Sequence, residues 1–167
     1  LNLTNKPITF TAWVYPVKIS NHGITASSVT LPKLKSQEAQ RVIFDSYEKN
    51  KNTGNRLEII DGKLSAYVGN REESIGRVNG QAVISYNAWH HIACVHDGKN
   101  IYLYLDGKET GKNTSNGFSE LRRIHVGRPA AMQLSLHERS HGGGPSFTGA
   151  FDDLRFYNRA LSQKEIL

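Results

Sequence analysis

Three Asp-Gly pairs between short segments of alternating hydrophobicity most constrain how this chain can fold. They stand at positions 61–62, 97–98 and 106–107. An Asp-Gly pair favours a type I′ turn, since that turn needs positive φ at both central residues, and such a turn joins two antiparallel strands directly. The segments that the pairs join or follow are 56–60, 63–68, 89–96 and 101–105. The pattern predicts a series of antiparallel hairpins.

Strand patterns also occur at both ends of the chain. Residues 8–16 alternate, with Thr11, Trp13 and Tyr15 opposite a mainly apolar face, and Pro16 ends the strand. Further strands are predicted at 41–47 and 123–127, a turn-rich interval at 69–88, and long loops at 17–40 and 129–146. No segment before Ser162 has a sustained helical period. The chain is therefore predicted to be all-β, with about nine or more antiparallel strands in a sandwich or jelly roll.

The last twenty residues combine a strand with a helix start. In 151–158, alternation places Asp152 on the face of Leu154 and Phe156, so Asp152 lies either at a rim or as a buried carboxylate that needs a partner. Ser162 and Glu165 have the spacing of a capping box, and they predict a short capped helical turn. The flanking Leu161 and Ile166 are spaced to form a hydrophobic staple.

Length and composition narrow the class of protein. With 167 residues and 38% hydrophobic residues, we expect one globular domain over residues 1–167. No apolar run reaches membrane-spanning length and no signal-peptide pattern opens the chain, so we expect no membrane insertion. The net charge of +6 permits an anionic partner, but the scattered basic residues do not indicate nucleic-acid binding. The single cysteine, Cys94, lies in an apolar strand and is predicted to be a small buried hydrophobe.

The order of several motifs adds a family resemblance. The blocks that carry it are 10–16, 89–93, 97–98, 102–109, 124–128 and 149–162. Together they resemble the laminin-G-like domains of the concanavalin A-like lectin/glucanase superfamily. The resemblance implies a two-sheet antiparallel jelly-roll sandwich, found as a module of larger secreted or cell-surface proteins. It leaves open whether the chain is a complete domain or lacks the first and last strands of the family domain.

The resemblance also implies a structural calcium ion at the closing strand. Asp152 is the residue that matches the family position, although the partner motif of the N-terminal strand is missing. The alternative is a carboxylate that accepts hydrogen bonds from backbone N–H groups. Trp13 and Trp89 lie within family-typical strand blocks, and we therefore interpret both as core residues.

A ligand site is predicted on the polar faces of the strands. Tyr67, Tyr104, Arg155 and Tyr157 would form a groove that stacks a sugar and pairs with an acidic one, and Arg128 would edge it. No catalytic residue is assigned. The nearest carboxylate pair, Glu58 and Asp61, falls on opposite strand faces, which does not suit a glycosidase.

Three hypotheses remain at this stage. The leading one is a non-catalytic module that recognises glycan, including anionic glycan, within a larger protein. The second is a protein–protein interaction or structural spacer domain that contacts other domains of the same protein, and the third is a glycoside hydrolase or polysaccharide lyase. Nothing in the sequence positions a serine against His90 or His91, which fall on opposite faces of one strand, and both are interpreted as packed or rim residues. His137 and His141 have the spacing of zinc ligands on a helix, but the Gly-rich run beside them argues against a helix, so they are interpreted as loop histidines.

Overall fold

The computed structural model describes residues 6–17, 40–46, 54–69, 74–115, 117, 124–127 and 147–166. Within these ranges the chain forms ten β-strands and one short helix. Their bounds are β1 Ile8–Pro16, β2 Gln40–Asp45, β3 Gly54–Ile60, β4 Lys63–Gly69, β5 Ser74–Val83, β6 His90–His96, β7 Asn100–Leu105, β8 Lys108–Thr114, β9 His125–Val126, β10 Gly149–Tyr157 and α1 Gln163–Ile166. The predicted loop 129–146 and most of 17–40 lie outside the described residues. No described helix is long and apolar enough to cross a membrane.

The strands form two antiparallel five-stranded sheets. The first sheet has the order β10-β1-β6-β7-β8, and the second has the order β5-β4-β3-β2-β9. The closing strand β10 pairs with β1 from Thr9 opposite Tyr157 to Pro16 opposite Gly149. The predicted all-β, two-sheet jelly-roll sandwich is confirmed.

The core lies between the two sheets. Phe10 of the first sheet stacks on Phe44 of the second, with ring centroids 5.4 Å apart, and Phe156 packs against both rings. Aliphatic residues of β1 to β7 and Leu154 of β10 fill the remaining space, and they mostly alternate because successive side chains of a strand point to opposite faces. The outer face of each sheet therefore carries the polar and aromatic residues between them.

Two of the three Asp-Gly pairs form the turns that the sequence predicts. Asp61 and Gly62 have φ of 50° and 73°, and Asp106 and Gly107 have φ of 49° and 74°. These left-handed values match a two-residue hairpin turn. The third pair differs, because the Asp97 side chain accepts hydrogen bonds from the backbone N–H groups of Lys99 and of Asn100, the first residue of β7.

Strand β5 lies in the interval where the sequence predicts turns, so that prediction is wrong. Its glycines allow β8 of the other sheet to come close: a Cβ on Gly76 would lie 2.9 Å from the Thr114 carbonyl oxygen. The Thr110 hydroxyl of β8 also accepts hydrogen bonds from the backbone N–H groups of Gln81 and Ala82. Glycine in β5 thus reflects a close strand crossing rather than a turn.

Candidate ligand-binding cleft

Four aromatic side chains, from β1, from β6 and from the residue just before β6, lie on the outer face of the first sheet. Trp13 lies opposite His91 in the β1–β6 register, and their ring centroids are 5.4 Å apart. Tyr15, two residues along β1, contacts Trp89 with a centroid distance of 5.5 Å. We call these four residues the aromatic platform.

The platform leaves both tryptophans of the chain partly exposed to solvent. Trp13 is 41% exposed and Trp89 is 46% exposed. The prediction that both are core residues is wrong, because both occupy the outer face of the sheet. Strand alternation already indicated that Trp13 lies on the outer face, since it places Trp13 opposite the apolar positions of β1. Large aromatic groups left exposed in one patch are typical of binding surfaces.

A cleft of about 340 Å³ opens beside Trp13. Strands β1, β6 and β10, the β7–β8 turn and α1 contribute to its walls. The lining residues are Thr11, Trp13, His91, Asp106, Gly107, Asp153, Arg155, Tyr157, Glu165 and Ile166. The cleft thus combines one aromatic face with a ring of polar and charged groups, as small-molecule sites commonly do.

The β10 wall depends on a β-bulge. Thr11 pairs with Arg155 and Trp13 pairs with Asp152, so β10 has two residues where β1 has one. Asp153, one of those two, has a φ of 46°, a left-handed conformation that Asp adopts more readily than most residues. Asp152, Asp153 and Arg155 are exposed on either side of the partly buried Leu154, and the last two line the cleft.

Because of the bulge, the side chains of β10 that point to the core differ from those predicted. Phe151 packs against the core together with Leu154 and Phe156, whereas Asp152 is exposed. The prediction that Asp152 shares the face of Leu154 and Phe156 is therefore wrong. Of the two positions considered for its carboxylate, the structure shows the exposed one.

Arg155 is held in place by its neighbours on β10. Its Nε donates to Asp153 Oδ1 at 2.6 Å, and hydrogen bonds to Tyr157 and Asp153 raise the pKa of the guanidinium. The Arg155 and Asp153 side chains are 57% and 49% exposed, so the pair contributes little to stability. Its effect is to orient both groups toward the cleft and to balance their charges.

Asp106 is fixed by a chain of hydrogen bonds at the β7–β8 turn. Its Oδ2 lies 2.9 Å from His90 Nδ1, and His90 Nε2 lies 2.7 Å from Ser85 Oγ. The expectation that nothing positions a serine against these histidines is wrong, because this is the connectivity of a Ser-His-Asp triad. However, Asp106 Oδ1 also accepts from the His91 N–H, and neither Ser85 nor His90 lines the cleft. The array therefore ties the turn to β6.

The closing segment, residues 158–166 after β10, forms the remaining wall of the cleft and is held by a buried hydroxyl. Thr9 is fully buried; its Oγ1 donates to the Arg159 carbonyl oxygen and accepts from the Leu161 N–H, both at 2.9 Å. Leu161 and Ile166 pack on the outer face of the first sheet, over Tyr104 and its neighbours. The docking of this segment places Ile166 in the cleft wall.

The predicted capping box forms, with one difference. The Ser162 N–H donates to Glu165 Oε2 at 2.9 Å, as predicted. The Ser162 hydroxyl donates to the same oxygen at 2.8 Å, and the Glu165 N–H donates to the Ser162 carbonyl oxygen instead of to the hydroxyl. Together with a 2.7 Å bond from Arg159 Nη1, these bonds lower the pKa of Glu165 to about 2.

The cleft carries no excess of positive charge. Asp106, Asp153 and Glu165 face Arg155 within it. Burial lowers the pKa of His91, although the charge of Asp106 acts in the opposite direction. His91 is therefore largely neutral at pH 7. The arrangement suits hydroxyl groups, which can donate to carboxylates and accept from the guanidinium.

The structure separates the five residues predicted to form the groove. Arg155 and Tyr157 both line the cleft, but Tyr104 is 6% exposed beneath the C-terminal segment, where burial raises its pKa. The prediction that Tyr104 is exposed is therefore wrong. Tyr67 lies on β4 of the second sheet, so these residues do not share one groove. Arg128 lies outside the described residues.

The described residues do not by themselves provide a calcium site at Asp152. Its Oδ1 accepts the Asp153 N–H at 2.8 Å, and Asp153 is paired with Arg155. Calcium usually takes six to eight oxygen ligands, several of them carboxylates. No group of three His, Cys, Asp or Glu residues that could hold a metal is found in the described part of the chain. Calcium at Asp152 stays a prediction.

The other candidate groups have structural surroundings. Glu58 is 1% exposed and accepts a 3.1 Å bond from Arg77, while Asp61 lies in its hairpin turn. Cys94 packs against the core, and burial raises its pKa to about 12, so the reactive thiolate is not populated at neutral pH. The histidines at 137 and 141 lie outside the described residues.

The sequence matches a family model described as the concanavalin A-like lectin/glucanases superfamily, of the laminin G type, over residues 1–167. None of the curated proteins matches it significantly.

Solved structures share the fold at low sequence identity. The sialidase carbohydrate-binding module CBM40 of Ruminococcus gnavus, solved with α2,3-sialyllactose, has a TM-score of 0.65 and 13% identity, with 98% of this chain and 82% of that chain covered. A Bacteroides ovatus protein described as a proposed carbohydrate-binding protein has a TM-score of 0.64 and 15% identity, covering 98% and 40%. Domains LG4–5 of the mouse laminin α1 chain have a TM-score of 0.62 and 14% identity, covering 96% and 38%. At such identities these likenesses show the fold alone.

Proposed function

The chain belongs to the laminin G-like family of the concanavalin A-like lectin/glucanases superfamily, and we propose that it is a non-catalytic module that binds carbohydrate. The aromatic platform and the adjoining cleft would form the binding surface. The observation that carries this proposal is the exposed indole of Trp13 at the mouth of a polar cleft. An apolar ring face beside oriented hydrogen-bonding groups matches the two sides of a pyranose.

Each part of the surface has a role in this proposal. Trp13 would stack on the C–H face of a sugar ring, and Trp89 would extend the platform to a second ring. The hydroxyls of the first sugar would donate to Asp153 and accept from Arg155, whose mutual bond fixes both groups before a ligand arrives. Preorganised groups of this kind lose less entropy on binding.

The cleft itself favours a neutral sugar. Among the described lining residues the one arginine, Arg155, is already paired with Asp153, and two further carboxylates line the wall. An acidic sugar would have to displace Asp153 or approach these carboxylates, which would cost binding energy. We therefore assign neutral glycan to this cleft, although the net charge of +6 led us to expect that anionic glycan would also bind.

The carboxylates of the cleft are poorly suited to catalysis. A glycosidase needs one carboxylic acid whose pKa is raised so that it stays protonated near neutral pH. Glu165 has the opposite shift, to about 2. Asp153 is bonded to Arg155, and both oxygens of Asp106 are used at the turn. These groups favour binding over hydrolysis.

The proposal also covers the setting of the module. As in the family that it resembles, we place the chain in a larger secreted or cell-surface protein, where other domains of that protein are its neighbours. A protein partner is the second candidate for the same surface, since exposed tryptophans are also frequent in protein interfaces.

Tryptophan fluorescence gives a direct test, because both tryptophans of the chain lie on the platform. A glycan array with neutral and acidic saccharides would first identify ligands, and titration of the best one should change the emission. We expect Trp13→Ala to weaken binding about tenfold or more, as for a central aromatic contact. Val83→Ala removes an exposed apolar side chain from β5 of the other sheet and is the matched control.

The outcomes separate the candidate functions. Equal binding by Trp13→Ala and wild type would place the sugar elsewhere on the domain. An array without signal, combined with cross-links from the platform to another domain of the full-length protein, would favour the protein-interaction function. Release of reducing sugar from a bound glycan would contradict the non-catalytic assignment.

A further inference from the structure

Arg41 is a buried cation at the start of β2. It is only 5% exposed, and its guanidinium carbon lies 5.4 Å from the centroid of the Tyr86 ring. Its Nε and Nη1 are buried without a hydrogen-bond partner among the described residues. Since Nε carries one proton and Nη1 carries two, three N–H donors are available in the plane of the group.

Such an arrangement is unfavourable unless an acceptor arrives. Arginine stays protonated in proteins, and burying a charge is costly unless the charge is paired and hydrogen-bonded. The Tyr86 ring stabilises one face of the guanidinium through a cation–π contact. A ring face does not satisfy the in-plane N–H donors, so the need for an acceptor remains.

The other arginines of the second sheet have acidic partners within the chain. Arg56 bonds to Asp45 at 2.8 Å and Arg77 bonds to Glu58 at 3.1 Å. Both carboxylates are almost completely buried. Arg56 is largely buried and Arg77 is about half exposed, yet each is paired with a buried carboxylate. No described carboxylate bonds to the buried Nε or Nη1 of Arg41, so Arg41 departs from that pattern.

Arg41 lies at one end of the sandwich, apart from the cleft. Tyr86 belongs to the segment between β5 and β6, in which the Ile84 N–H donates to the Gly62 carbonyl oxygen and the Asn87 N–H donates to the Pro16 carbonyl oxygen. This segment crosses from the second sheet to the first. Neither Arg41 nor Tyr86 lines the cleft described above.

We propose that Arg41 and Tyr86 form a binding site for an oxyanion, such as a carboxylate, sulfate or phosphate group. The ligand oxygens accept from Nε and Nη1, while Tyr86 covers the guanidinium face. Guanidinium donors match the geometry of these anions closely. The site does not depend on carbohydrate binding at the platform, although an acidic sugar could bring the anion to it.

The first test measures unfolding by urea with acetate, inorganic phosphate or sulfate in place of chloride at matched ionic strength. Binding to the folded state lowers the unfolding equilibrium constant by the factor 1 + [L]/Kd, which is about tenfold at nine times Kd. Arg41→Met should lose this selective effect and keep only the general effect of the salts. An equal response of wild type and Arg41→Met would overturn the proposal.

The stability of Arg41→Met in chloride gives an independent check. Replacing a buried cation that the described residues leave without a carboxylate by an apolar side chain of similar length should leave the urea midpoint unchanged or raise it. A clear fall in the midpoint would mean that the protein itself satisfies the guanidinium, and it would contradict the site.

NMR titration of the wild-type protein keeps the proposal testable if the variant does not fold. The Arg41 Nε–H resonance should shift and saturate with the oxyanion, but not with chloride. A comparison of glucuronate with glucose then tells whether a sugar can carry the anion to the site. An Arg41 signal that acetate, phosphate, sulfate and glucuronate all leave unmoved would refute the proposed oxyanion site. Loss of sugar binding in Trp13→Ala leaves this titration unaffected, so the two proposals fail separately.

Discussion

Thr9→Val should weaken both the fold and the ligand site, because one buried hydroxyl holds the closing segment of the chain. Thr9 is fully buried, and its Oγ1 bonds to two backbone groups, the Arg159 carbonyl oxygen and the Leu161 N–H. Valine has nearly the same shape but offers neither a donor nor an acceptor. The substitution therefore removes the two hydrogen bonds without leaving a cavity.

The expected size of the effect follows from these two bonds. A buried backbone group that loses its partner costs about 1–3 kcal/mol, and here two lose it together. The extra methyl group returns about 0.8 kcal/mol through burial. We therefore expect the free energy of unfolding to fall by about 1–5 kcal/mol, a large part of the stability of a typical domain.

Urea unfolding, followed by tryptophan fluorescence, measures the change. Thr11→Val is the matched control, since Thr11 lies on the same face of β1 and its hydroxyl makes no hydrogen bond to the described part of the closing segment. We expect a change within about 0.5 kcal/mol. Thr9→Ser keeps the hydroxyl and should lose only about 1 kcal/mol. A loss for Thr9→Val no larger than that of Thr11→Val would refute the docking role of the hydroxyl.

The same substitution should act on the ligand site. If the closing segment separates from β1 while the rest stays folded, the cleft loses the wall formed by Glu165 and Ile166. Hydrogen exchange at the Leu161 amide should then become faster than at the central strands. Sugar affinity should fall in Thr9→Val and be retained in Thr9→Ser.

Three further predictions concern the close crossing of β5 and β8, the buried His96 and the calcium ion. Gly111→Ala would place a methyl group 2.8 Å from the Asn79 carbonyl oxygen, so we expect a loss of about 1–3 kcal/mol in urea unfolding, with Lys108→Ala on the same strand unchanged. Burial lowers the pKa of His96 below 6.5, so the unfolded state binds the proton first: stability should fall as pH drops below about 6.5, and His96→Gln should flatten that dependence. For calcium, calorimetric titration should give heats in wild type that Asp152→Ala lacks, and equal negligible heats would end that prediction.

The parts of the fold that local chemistry determines could be predicted from the sequence. Asp61 and Gly62 adopt positive φ and join β3 to β4, as a two-residue Asp-Gly linker requires. Strand β5 could not be predicted in this way, because Gly76 and Gly80 are needed by a strand of the other sheet. A glycine required by a distant contact has the same appearance in the sequence as a glycine required by a turn.

The ligand site shows a similar division. Alternation gave the correct face for Trp13 and Tyr104, but it does not tell whether that face is covered. The C-terminal segment buries Tyr104 and leaves Trp13 open. The β-bulge at Asp153 could not be predicted from alternation either. Two adjacent aspartates do not favour a left-handed conformation strongly enough to locate the bulge in the sequence.

The distribution of charge favours two separate ligand sites, one for neutral glycan at the cleft and one for an oxyanion at Arg41. The chain has a net charge of +6, yet Arg155 in the cleft is paired with a carboxylate. Arg41, the buried arginine that the described residues leave without a carboxylate, lies at the sandwich end. If the two places bind separate ligands, the effects of Trp13→Ala and Arg41→Met on the binding of any one glycan should add. A coupling energy beyond about 0.5 kcal/mol would instead show that a single acidic glycan spans both.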